Sequence, residues 1–150
     1  AFGYGEKVRR ELQLNVISMS NVDIAVKRHY YDPKKSIQDM VYYESWGSRE
    51  GLDEHMGFYG DILWDSFYAA SQSPSYLNRQ PYGFLIRGHE VMLPDEHTDE
   101  YDGQLNLGIA LLHFGAVAAQ WVGNVQWQLD GLPADVELPE GHAIAALCRI

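Results

Sequence analysis

Between Ser73 and Pro81 the chain reads SPSYLNRQP. Ser73, Ser75, Asn78, Arg79 and Gln80 crowd hydroxyl, amide and guanidinium groups into one short stretch, enough donors and acceptors to hold a polar ligand by several hydrogen bonds at once. Serine and asparagine also build ordinary turns, so composition alone leaves a plain connector and a binding loop both open. A second polar feature is the pair Lys34-Lys35, which closes an early basic cluster containing Lys7, Arg9, Arg10, Lys27 and Arg28. An anion site in the first half fits that charge pattern, and so does a pair of solvated surface lysines. Other chemistries find less support. His89, His97 and the acidic run from Asp95 to Asp102 carry nitrogen and oxygen ligands without metal-ligand spacing. Glu54-His55 has no second histidine four residues on, and the chain has no Gly-x-Ser-x-Gly elbow, no P-loop and no Gly-x-Gly-x-x-Gly dinucleotide motif. No metal ligand and no catalytic acid, base or nucleophile is therefore assigned.

The elements that would position the loop follow from periodicity. Tyr59, Ile62, Leu63, Ser66, Phe67 and Ala70 share one helical face, predicting a helix from Tyr59 to about Gln72 that Ser73-Pro74 stops. After the loop, YGFLIR and EVMLP flank Gly88-His89 and read as a hairpin. Asp102 or Asn106 is a plausible start for a helix over Leu107–Val122, rich in glycine and alanine. HAIAALCRI reads as a final, fully buried strand, and VQWQLD as a strand or a turn. Upstream, Ile37, Met40, Val41 and Glu44 predict a short helix from Ser36 to Ser45, and 15–33 reads as an extended surface arm. Separated helices and strands make the fold class α+β.

Length and charge bound the remainder. The chain has 150 residues and a formal net charge of −10, a size that supports a hydrophobic core without metals or disulfides. Such acidity disfavours nucleic acid and anionic membrane surfaces as partners. The apolar run Leu107–Gly123 falls short of the ~20 residues of a membrane span and reads as a buried helix. His113 within it reads as a core histidine with one satisfied hydrogen bond, and the single cysteine, Cys148, as a small buried hydrophobe. A cytoplasmic, reducing location is the expectation.

The segment SPSYLNRQPYGFLI resembles the Ser/Ala-Pro-Ser-x-x-Asn-x-Gln-Pro-aromatic segment of the FMN-dependent nitroreductase family, in the family's order of helix, loop and strand. LNLGIALLHFGAVAAQWVG is similar to the Asp-x-Gly-Ile-Ala-x-x-His segment of the subgroup in which two half-modules share one chain, with Asn106 in place of the aspartate. FGY and PKKSIQDMVYYESWG look like the closing segment of a half-module, with Lys34-Lys35 kept and Ser36 where the family has proline. The resemblance implies a nitroreductase-like α+β fold, incomplete at the N-terminal side, with residues 1–47 as the tail of a first half-module and 48–150 as a second.

It further implies a flavoprotein oxidoreductase passing electrons from NAD(P)H through FMN to a nitro compound, quinone or similar acceptor. Lys34 and Lys35 would meet the phosphate, while Ser75, Asn78 and Gln80 would meet the ribityl chain and ring edge. Pro74, Tyr76 and Pro81 complete a stiffened wall of the pocket, Arg79 could neutralise phosphate or reduced flavin, and Trp46 or Tyr82 is a candidate for the flavin face. The family's Arg-Arg-Ser-x-Arg phosphate motif is absent, and the chain begins without methionine. A partner chain or an upstream segment is therefore expected to supply the other half of the site. The rival expectation is a non-enzymatic assembly subunit that keeps the fold, has lost flavin, and uses the small-residue helix as an interface.

Overall fold

Short segments of consecutive apolar side chains, Phe84–Ile86 and Val91–Leu93 above all, bury both faces of a sheet. The computed structural model describes residues 32–96 and 101–150. The strands are β1 (Val41–Tyr43), β2 (Phe84–Arg87), β3 (Glu90–Asp95) and β4 (Ala143–Arg149), and the helices are α1 (Leu52–Gly57), α2 (Asp61–Ser71) and α3 (Tyr101–Val122). The sheet order is β1-β2-β3-β4. β1 runs parallel to β2, and the other pairs are antiparallel. The α+β class is as expected. Pro33–Ile150 forms one compact unit. The extended arm expected over 15–33 lies almost wholly outside the described residues, as do the first basic cluster and the middle of the acidic loop.

Val41, Phe84, Ile86, Val91, Leu93, Ala146 and Cys148 face one side, where they meet the buried stripes of α2 and α3. Phe67 on α2, Phe84 on β2 and Phe114 on α3 form the centre of this layer, with ring centroids 5.1 to 5.7 Å apart. The opposite face carries Leu85, Met92 and Leu147 beneath Tyr42, Leu132, Val136 and Ile144. Trp46 lies so close over Gly83 that an added Cβ would stand 2.7 Å from its ring and 3.0 Å from the Met40 carbonyl.

The hairpin falls where expected, with Arg87 opposite Glu90 and Gly88 at φ 53°. That positive angle is the one glycine adopts freely at the first central position of a type II′ turn. α2 also falls where its spacing placed it, shorter by two residues at its start and one at its end.

Other expectations change. The helix expected over Ser36–Ser45 is a 3-10 turn, Ile37–Asp39, followed by β1. Val41, Tyr42 and Tyr43 are β-branched or aromatic, and pairing with Phe84–Ile86 overrides a weak helical spacing. α1 was not anticipated, and α3 starts earlier than expected, at Tyr101. VQWQLD is irregular, joined to the sheet by one bridge between Gln128 and Leu147. β4 is an edge strand, and only Ala146, Leu147 and Cys148 in it are buried. Nor is α3 a buried helix. It is long and apolar enough to cross a membrane by length and composition, yet only 28% of its most apolar window is buried. Leu107, Ala110, Phe114 and Ala118 form the buried core-facing stripe, Leu111 and Val122 pack partly buried against the same core, and Leu105 and Leu112 are exposed.

Candidate functional site

The loop after α2 is held from three directions. Its helix ends because Ser73-Pro74 disfavours helical backbone, and the chain then turns through a 3-10 segment, Tyr76–Asn78. Leu77, Asn78 and Gln80 all take positive φ, at 50°, 60° and 46°. Left-handed backbone costs about 1 kcal/mol or more in a residue with a Cβ, so surrounding contacts must impose it.

Gln80 supplies most of those contacts and is fully buried. Its Nε2 donates to the Ser71 carbonyl at 2.7 Å, and its Oε1 accepts from the Lys35 backbone N–H at 2.9 Å. Its own N–H donates to Ser75 Oγ at 3.1 Å, and its carbonyl accepts from Lys35 Nζ at 2.6 Å. Lys34 Nζ donates to the Ser73 carbonyl at 2.7 Å. The two ammonium groups thus clamp carbonyls at either end of the loop. Each ammonium has three N–H donors, of which the loop carbonyl takes one.

α3 holds the other side. Asn106 Oδ1 accepts from the Tyr76 backbone N–H at 3.1 Å, and His113 Nδ1 meets Ser73 Oγ at 2.8 Å. Asn106 and His113 are seven residues apart and share a helix face. The core-histidine reading of His113 fits this single hydrogen bond.

Burial lowers the Lys35 ammonium from its ordinary pKa, against the carboxylates of Glu96, Asp39 and Asp95, which raise it. Lys34 is lowered by burial as well. Burial raises the Tyr82 phenol. The buried Cys148 thiol is pushed up to about 12, which makes it a poor nucleophile. Among the described residues no group of histidine, cysteine and carboxylate side chains has the arrangement of a metal site.

The expected site residues therefore converge, in unequal ways. Lys34, Lys35, Ser75 and Gln80 meet at the loop through the bonds above. Pro74 is exposed, Tyr76 is 57% exposed, Asn78 is half-buried and Arg79 is exposed. The Gln80 amide has both ends engaged inside the protein, and the Ser75 hydroxyl accepts from Gln80. Of the two aromatics considered for a flavin face, Tyr82 is buried and Trp46 lies over Gly83. Sequence reasoning missed Ser71, Ser73 and Asn106 as loop supports. The available signal was Asn106 and His113, two polar side chains at matching phase on an otherwise apolar helix.

Among the described residues, clefts also lie away from this loop. One, of about 470 Å³, is lined by Asn124, Gln126, Trp127, Gln128 and the end of β4. Another, of about 440 Å³, runs between α3 and the start of β4. Comparison with protein-family models, with curated proteins and with solved structures finds no match.

Proposed function

We propose that this chain is one half of a flavin-dependent oxidoreductase, a nitroreductase-like subunit whose Ser73–Gln80 loop forms a wall of an FMN site completed by a second chain. The observation that supports the reading is the bracing of a strained loop by Lys34, Lys35, Asn106 and His113, from two segments distant in sequence. Strain held in place by surrounding structure is characteristic of binding sites, and a pre-ordered loop lowers the ordering cost of binding. Lys34, Lys35 and the exposed Arg79 would hold the phosphate. Tyr76 would cover an apolar part of the ring, and Asn78 would meet the ribityl chain. When bound, FMN supplies hydride acceptance from NAD(P)H and electron delivery to a nitro or quinone acceptor.

The test is titration with FMN of the chain purified together with the second chain that completes the site, followed by visible absorbance and quenching of flavin fluorescence. Saturable quenching that Arg79→Glu weakens at least tenfold supports the reading. Unquenched flavin at about 200 μM chain, weaker than ~8 kcal/mol or micromolar binding would give, rejects it. One observation favours a non-enzymatic assembly subunit instead: the Gln80 amide and the Ser75 hydroxyl are engaged within the loop. That reading predicts the same fold with no flavin signal.

A further inference from the structure

Among the described residues, two phenols end on imidazole rings. Tyr59 Oη meets His89 Nδ1 at 2.6 Å, and Tyr43 Oη meets His55 Nδ1 at 3.2 Å. By contrast, the Tyr42 hydroxyl donates to the Asp39 carbonyl, which accepts a hydrogen bond but does not take the proton. The rings continue as a file. Tyr43 and His55 are centred 4.7 Å apart, His55 and Tyr59 5.3 Å, and Tyr59 and Trp121 5.4 Å, the last pair edge to face. Tyr59 lies between α1 and α2, His89 in the hairpin turn and Trp121 in the last turn of α3, so three parts of the fold converge on one phenol.

We infer that Tyr59 is a one-electron redox site, oxidised through Trp121 by radical oxidants at the surface and deprotonated by His89 as it is oxidised. The first argument is the proton. A phenol gives up an electron readily only when its proton leaves as well, because an oxidised phenol that keeps its proton is a strong acid. The 2.6 Å bond is shorter than the ~2.9 Å usual between nitrogen and oxygen, and imidazole is a side chain that accepts a proton and passes it on. Burial, followed by the nearby Tyr43 phenol, raises the Tyr59 pKa, so the hydroxyl is protonated and donates. His89 is exposed, so as Nδ1 takes the phenolic proton, Nε2 hands its own to water.

The second argument is the contrast with Tyr43. His55 Nε2 is buried and has no hydrogen-bond partner. A proton arriving at His55 Nδ1 therefore has no way out and would leave a buried cation. Of the two phenols, Tyr59 is the one whose proton acceptor opens to solvent.

The third is access. Tyr59 is 8% exposed and Trp121 is 49% exposed. The phenol is shielded from coupling with other radicals, while an oxidant reaches the indole without needing a pocket. A peroxyl radical has that character, and the step balances. The peroxyl radical takes one electron and becomes a peroxide anion. Tyr59 becomes a neutral tyrosyl radical, and the proton it releases through His89 converts the anion to a hydroperoxide. A reductant of the ascorbate class restores Tyr59 by returning one electron and one proton through the same two groups. None of this rests on flavin binding.

Flash photolysis of the full chain, without flavin, with a ruthenium tris-bipyridine sensitiser and persulfate as electron acceptor tests the inference. The expected product is a tyrosyl radical, seen by transient absorption and by electron paramagnetic resonance of frozen samples, that outlives those of the exposed Tyr68 and Tyr76. Tyr59→Phe keeps the ring in place and abolishes the long-lived signal. His89→Phe slows its formation by about a hundredfold, the contribution of a positioned proton acceptor, with circular dichroism confirming an unchanged fold. His89 is exposed, so that substitution leaves the core undisturbed. Trp121→Leu lowers the yield of the radical. A wild-type chain that forms no long-lived tyrosyl radical overturns the inference. So does a long-lived signal that persists in Tyr59→Phe, or wild-type kinetics in His89→Phe. The measurement contains no flavin, so this proposal and the flavin-site proposal can each fail alone.

Discussion

Replacing Gln80 by methionine isolates the hydrogen bonds that hold the loop. The substitution keeps most of the side-chain volume and leaves the backbone at a positive φ that both residues find equally strained. It removes the donor to the Ser71 carbonyl and the acceptor for the Lys35 N–H, 2.7 and 2.9 Å away. Gln80 is fully buried, and its bond to the Ser71 carbonyl is closed to water while that to the Lys35 N–H is partly so. Each buried group left unpaired costs about 1–3 kcal/mol, which puts the total near 3 kcal/mol. With a urea m-value of about 2 kcal/mol/M, the unfolding midpoint falls by roughly 1.5 M at unchanged m. Equilibrium unfolding followed by tryptophan fluorescence measures this directly. A midpoint within about 0.3 M of wild type, or below ~0.6 kcal/mol at that m-value, would refute the reasoning that Gln80 is the loop's main support.

Gly83→Ala pushes a methyl against the Trp46 ring and the Met40 carbonyl, at 2.7 and 3.0 Å, and should cost about 1–3 kcal/mol, seen as a lower melting temperature with altered tryptophan emission. Gly115→Ala should act oppositely, since its methyl meets Trp127 and Val125 at ordinary distances of 3.8 and 3.9 Å; removing a mid-helix glycine adds about 0.5–1 kcal/mol, read as a melting point raised by ~1–4 °C. The Cys148 thiol is raised from 9.0 to about 12 in the folded chain, so its contribution is complete below pH 9 and is lost as pH climbs toward 12. Stability of the wild type should fall more steeply over that window than that of Cys148→Ala, and an aromatic disulfide reagent at pH 8 should label Cys148 only after urea is added. Asn106→Leu leaves the Tyr76 N–H without its acceptor and should cost about 1–3 kcal/mol, with faster amide exchange confined to the loop.

The hairpin and α2 were legible because their signals are local: Gly88-His89 divides two apolar runs, and the α2 stripe repeats over the whole helix. β1 was not, because Ile37, Met40 and Val41 happen to fit helical spacing and only Phe84–Ile86, far along the chain, supplies the competing partner. α3 was legible as a helix, while its exposure was not, since apolar composition does not say how many faces find a neighbour. In the loop, the polar residue types announced dense hydrogen bonding but not its direction. Gln80 and Ser75 bond inward, and Lys34 and Lys35 bond main-chain carbonyls, choices set by the strained path of the backbone rather than by residue identity.

The parallel pairing of β1 with β2 dictates an order of assembly. The β2–β3 turn closes over two residues and forms within microseconds, whereas joining Val41 to Phe84 must bring together strands separated by two helices and a braced loop. Such distant closures are slow, so β1 docks after the hairpin has formed. Until it does, one side of β2 offers open main-chain groups to any neighbouring polypeptide, and refolding yield should therefore drop as protein concentration rises.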